Sequence, residues 1–73
     1  MTEHSIRNRI RDLRSNLGVT QAELATTLQV SRQTVISLEQ GRYLPSLPLA
    51  FRIAAYFGKP IESIFELADE EAG

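Results

Sequence analysis

Between residues 17 and 47 the chain is punctuated too densely for any long helix to survive. Gly18 is followed by Thr20-Gln21-Ala22-Glu23, a capping box in which Thr20 and Glu23 satisfy one another's free backbone donors. A few residues on, Gln29 and Val30 break the apolar pattern and Ser31 offers a second N-cap. Gly41 stops the segment that follows, and Ser46 caps another. Pieces of about eight residues fall short of the ~12–15 that an isolated helix needs in water. Each must therefore be held by its neighbours, and the chain must fold as several short helices around one shared core.

The apolar spacing agrees. Ile6, Ile10, Leu13 and Leu17 mark one stripe of a first helix, capped by Ser5 and ended by Gly18. A second helix over 21–28 is expected to bury Ala22, Leu24, Ala25 and Leu28. A third, from Arg32 to about Gln40, turns Val35 and Leu38 inward. After a loop from Arg42 to Pro45, a fourth carries Leu47, Ala50, Ile53, Ala54 and Phe57 on its apolar side and stops at Gly58. Pro60 opens a short fifth helix in which Ile61, Ile64 and Phe65 close the core. Nothing reads as a strand. The expectation is an all-α, compact five-helix domain spanning 1–73, with its core over 6–66 and an acidic tail over 67–73 that frays.

The chain has 73 residues and no Cys, so one small core must fold without disulfides, and no ligand cluster suggests a metal. Stability must come from close helix packing, from dimerisation, or from both. The N-terminus has no apolar stretch of signal-peptide type, and no apolar run approaches the ~20 residues of a membrane helix. A cytoplasmic protein with no membrane partner is expected. No cofactor is expected either, and the residues from which an active site is built do not cluster, which argues against an enzyme. The net charge of −1 hides an asymmetry. Residues 1–42 carry six arginines against four acids, whereas 43–73 carry Arg52 and Lys59 against five acids. The basic half suits phosphate and the acidic half faces away.

The segments over 21–28 and 32–40, joined at a corner filled by Val30, have helix-turn-helix spacing, which lets the second helix enter a DNA major groove. Arg32, Gln33, Ile36, Ser37 and Gln40 lie on its outward side. Arg reads the O6/N7 edge of guanine and Gln the N6/N7 edge of adenine, each through two hydrogen bonds.

Leu17-Gly18-Val19-Thr20-Gln21-Ala22-Glu23-Leu24-Ala25, Val30-Ser31-Arg32-Gln33-Thr34-Val35 and Leu38-Glu39-Gln40-Gly41-Arg42 together resemble the phage repressor and Cro (XRE) family of helix-turn-helix regulators. Pro45-Ser46-Leu47, Ile53-Ala54 and 60–65 extend the resemblance over about 6–66. It implies a lambda-repressor-like domain that binds double-stranded DNA as a homodimer on an inverted repeat. By the same resemblance Arg32, Gln33, Ser37 and, with an unusual apolar side chain, Ile36 are expected at bases. Gln21, Ser31, Thr34, Gln40, Arg42 and Tyr43 are expected at the backbone. Arg14 and Glu39 match a structural ion pair between helices 1 and 3. Ile61 and Ile64 are the expected dimer residues, and Pro60 stands where a Ser or Thr cap is commoner. The leading function is a dimeric transcriptional repressor. The alternative is an antitoxin or adaptor that binds DNA and also a protein partner through the acidic C-terminus.

Overall fold

The computed structural model of the chain describes residues 5–68. Five helices run in order: α1 (Ile10–Leu17), α2 (Gln21–Leu28), α3 (Arg32–Glu39), α4 (Leu47–Phe57) and α5 (Ile61–Ile64). They are flanked by β1 (Ser5–Asn8) and β2 (Phe65–Ala68). His4 and the acidic stretch Asp69–Gly73 lie outside the described residues.

The punctuation acts as its chemistry dictates. Thr20 and Glu23 form both halves of the capping box, and the side chains of Ser31 and Ser46 accept from the Thr34 and Leu49 amides. Gly18 ends α1 at φ 72°, a left-handed conformation that favours glycine. Gln29 ends α2 in the same region at φ 62°, so here a residue with a Cβ bears the strain.

Ile10, Leu24, Leu28, Val35, Leu38, Ile53 and Ile64 are fully buried and draw on all five helices. Three residues expected on apolar faces are not there. Leu17 and Leu47 are 57% and 66% exposed, and Ala22 is also exposed. In α4 the buried stripe is Leu49, Ala50, Ile53 and Ala54, with Phe57 half-buried. With Ser46 as the cap, Leu47 is the first helical residue, and the inward face starts at Leu49.

The terminal strands are the main departure from the expected pattern. Ser5 does not cap α1; it begins a strand that pairs antiparallel with β2, Ile6 opposite Leu67 and Asn8 opposite Phe65. Residues 5–8 satisfy their backbone in the ladder, and Ile6 is half-buried. The same pairing takes Phe65 out of α5 and draws Leu67 and Ala68 out of the expected tail. Helix α1 starts at Ile10, whose amide donates to Asn8 Oδ1 at 3.1 Å, and the Arg9 amide donates to the Ile64 carbonyl at 2.9 Å.

Candidate nucleic-acid interface

Helices α2 and α3 pack directly on one another, with Val30 half-buried at the corner and the Val30 amide donating to the Ala25 carbonyl at 3.0 Å. Ser31 caps α3 with a side chain that also shares a 2.9 Å hydrogen bond with the Thr34 hydroxyl. Both hydroxyls therefore stay at the rim of the helix start, where α3's free amides and dipole favour an anion.

A chain of polar side chains fixes α3. Arg14 on α1 donates from Nε to Glu39 Oε2 at 2.6 Å and from Nη2 to Oε1 at 3.2 Å, and from Nη1 to the Val19 carbonyl at 3.0 Å. Gln21, the first residue of α2, donates to Glu39 Oε1 at 3.1 Å. Its own Oε1 receives Arg32 Nη2 at a long 3.4 Å. The ion pair is well covered, its side chains 14% and 5% exposed. Burial would raise the Glu39 pKa. The hydrogen bonds from Arg14 and Gln21 and the charges of Arg14 and Arg11 outweigh it and hold the carboxyl below its ordinary value. The bond to Glu39 raises the Arg14 pKa although burial opposes this.

This network floors an open cleft of about 490 Å³ between α1, α2 and α3, lined by Arg11, Arg14, Thr20, Gln21, Ala22, Arg32, Ile36, Glu39 and Gln40. Glu39 is spent on Arg14. The guanidinium groups of Arg11 and Arg32 thus remain as net positive charge at a concave wall, a setting suited to a phosphate backbone.

A family profile described as Helix-turn-helix matches residues 10–64. The chain belongs to this family. It is similar to an HTH-type transcriptional regulator of Methanothermobacter thermautotrophicus, 53% identical over 68 residues that cover 92% of this chain and 99% of that one. The cryptic phage CTXphi transcriptional repressor RstR of Vibrio cholerae is 32% identical over 57 residues, 78% of this chain and 51% of the repressor. Among solved structures, the clp gene regulator ClgR of C. glutamicum superposes with a TM-score of 0.65 at 31% identity, over 74% of this chain and 70% of that chain. The resemblance to the phage-repressor class and the five-helix fold are borne out. The chain is a transcriptional regulator with a helix-turn-helix DNA-binding domain, of a family that binds DNA and is not enzymatic.

In this regulator Gln21, Arg32, Ile36 and Gln40 meet at the cleft, while Gln33 and Ser37 share their helix but not the cleft lining. Arg32 and Gln33 are exposed in the first turn of α3; Ile36 and Ser37 are half-buried. Arg42 and Tyr43 are exposed just beyond α3, beside a second hollow of about 220 Å³ against the ribbon. The two residues expected at a dimer seam part company. Ile61 is half-buried, but Ile64 is 1% exposed and packs in the core, leaving no surface for a partner. Two polar residues escaped the sequence reading. Arg11 follows Arg9 in a basic run and stands three residues, about one helical turn, before Arg14, a spacing no motif flags. Asn8 makes contacts that depend on a strand with no long alternation to announce it. Among the described residues no group of His, Cys, Asp or Glu is placed to hold a metal, and no helix is long and apolar enough to cross a membrane.

Proposed function

We propose that the regulator is a dimeric repressor that reads an inverted repeat with α3 in the major groove. The observation that carries this is the contrast across α3. Its inner side is locked by Val35, Leu38 and the Glu39 network, while Arg32 and Gln33 stand exposed at its N-terminal turn. A rigid helix presenting those two side chains is the requirement for direct readout, Arg at guanine and Gln at adenine or a neighbouring step. Ile36 meets a thymine methyl and Ser37 a base edge further along. Gln21, Ser31, Thr34, Gln40, Arg42 and Tyr43 hold the sugar-phosphate backbone, joined by Arg11 at the cleft wall.

Dimerisation follows from a small core and exposed apolar surface. Leu47 and Phe51 stand four residues apart on α4, 66% and 58% exposed, and with Ile61 they supply the seam that Ile64 cannot. A two-fold pair places half-sites about 34–36 Å apart, one turn of duplex. The repressor role of the Vibrio phage relative favours repression over activation. Acting on the chromosome, the protein works in the cytoplasm.

Selection of bound sites from random-sequence duplexes tests the reading. The expected product is a symmetric motif with a guanine at the Arg32 position. A motif with no internal symmetry, bound by a monomer, overturns the dimer.

A further inference from the structure

We infer that Asn8 is a positioning residue for DNA recognition. It lies outside the helix-turn-helix and fastens the trailing end of the recognition helix to the terminal ribbon. The inference rests on the reading of α3 as the base-reading helix.

The last carbonyls of any helix lack partners within it, and what satisfies them decides how firmly that end is held. In α3 the Ile36 and Ser37 carbonyls receive the amides of Gln40 and Arg42, at 3.0 and 2.9 Å, all within the local chain. The Leu38 carbonyl receives the Gly41 amide at 3.0 Å and, in addition, Asn8 Nδ2 at 2.8 Å from thirty positions away. The same amide group faces both ways. While Nδ2 donates to Leu38, Oδ1 accepts the Ile10 amide at 3.1 Å and starts α1. Asparagine is the shortest side chain that carries a separate amide donor and carbonyl acceptor, so it can serve both partners at once.

Backbone pairing on either side fixes the position of Asn8. Its residue partner is Phe65 in β2, and the next amide, Arg9, reaches the Ile64 carbonyl at 2.9 Å. One residue after Leu38 comes Glu39, gripped by Arg14. Consecutive residues near the end of α3 are thus held from β1, by a carbonyl bond, and from α1, by an ion pair. Two adjacent anchors, one on the backbone and one on a side chain, resist rotation of the helix about its axis, and rotation is the movement that carries Arg32 and Gln33 off their base edges. Asn8 does not line the cleft; it lines the second hollow beside Arg42 and Tyr43, and its hydrogen bond to the Leu38 carbonyl is its link to the recognition helix.

The two halves of the amide can be separated. Asn8→Asp keeps an oxygen for the Ile10 amide, in a position that the α1 dipole favours, but has no donor for Leu38. Asn8→Ala removes both. The probe is the duplex selected by the wild-type protein, at a temperature where each variant is fully folded by circular dichroism. Both variants should lose about 3- to 10-fold in affinity, the worth of one net hydrogen bond, and should tolerate changed bases at the Arg32 and Gln33 positions more than the wild type does. Only Asn8→Ala should show a large fall in Tm. Wild-type affinity in Asn8→Asp overturns the proposal. So does affinity that merely follows Tm, or loss of the fold in both variants, either of which makes Asn8 structural only. Arg32→Ala is measured alongside. If it binds the selected duplex as the wild type does, the reading of α3 has failed rather than the role of Asn8.

Discussion

Two clusters of opposite charge hold α3 and the ribbon, and they are built differently. At α3, Arg14 and Glu39 meet through two hydrogen bonds in a covered site, with Gln21 satisfying the same carboxylate. On the ribbon, Glu66 lies 3.3 Å from Arg9 and 3.8 Å from Arg7, with the side chains about half to two-thirds exposed. Water does for the second carboxylate most of what arginine does, whereas the first has only its partners. The helix-turn-helix is therefore sensitive to charge, and the ribbon, held by backbone pairing and the half-burial of Ile6 and Phe65, is not.

The hardest test of that contrast is at Glu39. Glu39→Gln or Arg14→Met should lower stability by about 2–3 kcal/mol, between the ~0.2–1 of an exposed pair and the ~3–5 of a fully buried one. The double mutant should lose less than the sum, because the second deletion removes a charge already stranded. Additive losses in thermal unfolding would show that the pair is uncoupled. Acid should act through the same carboxylate. Because folding lowers the Glu39 pKa, its contribution is complete above the ordinary carboxylate range and is lost as pH falls through the folded value. Tm should fall on acidification in the wild type and fall less steeply in Glu39→Gln.

Arg32→Ala should leave stability nearly unchanged but weaken binding to the selected site by about 1–3 kcal/mol, with relaxed choice at one base pair. An equal loss on random duplex would move Arg32 to the phosphate class. Arg42→Ala should instead weaken all sequences alike and reduce the salt slope by about one.

Gln29→Gly removes a side chain from a left-handed residue. It should stabilise the turn by about 0.5–1 kcal/mol, the relief of strain exceeding the added freedom of the unfolded chain. The smallest effect is expected at Glu66→Gln, at or below about 0.5 kcal/mol and vanishing in high salt. A loss there as large as at Glu39 would erase the distinction between the two regions.

The same contrast explains what could be read in advance. Thr20 with Glu23, Ser31, Ser46 and Gly18 are local signals, each acting within a few residues, and they placed the starts of α2, α3 and α4 and the end of α1; α3 stops at Glu39, one residue short of the expected Gln40. Arg14 and Glu39 were legible through the family resemblance, and the structure joins them. The ribbon was not legible, because Ile6-Arg7-Asn8 and Phe65-Glu66-Leu67 are each too short to show alternation convincingly and gain meaning only when paired. Missing that pairing displaced the start of α1 and hid Asn8. The dimer residues failed in part for a similar reason. Sequence marks Ile64 as apolar but cannot say that the monomer's own core takes it while leaving Leu47 and Phe51 outside.

The pairing of Ser5 with Ala68 brings the two ends of the described chain side by side, about 4.5–5.5 Å apart between Cα atoms. A module with that property can be spliced into a host loop, or doubled in tandem, through a linker of a few residues and without disturbing its interior. It can also be rewired. A short glycine-rich bridge from Ala68 back to Ser5 would close the chain, and new ends could be opened at the exposed Gly58–Lys59 turn. There they would interrupt neither the cleft nor the capped start of α3.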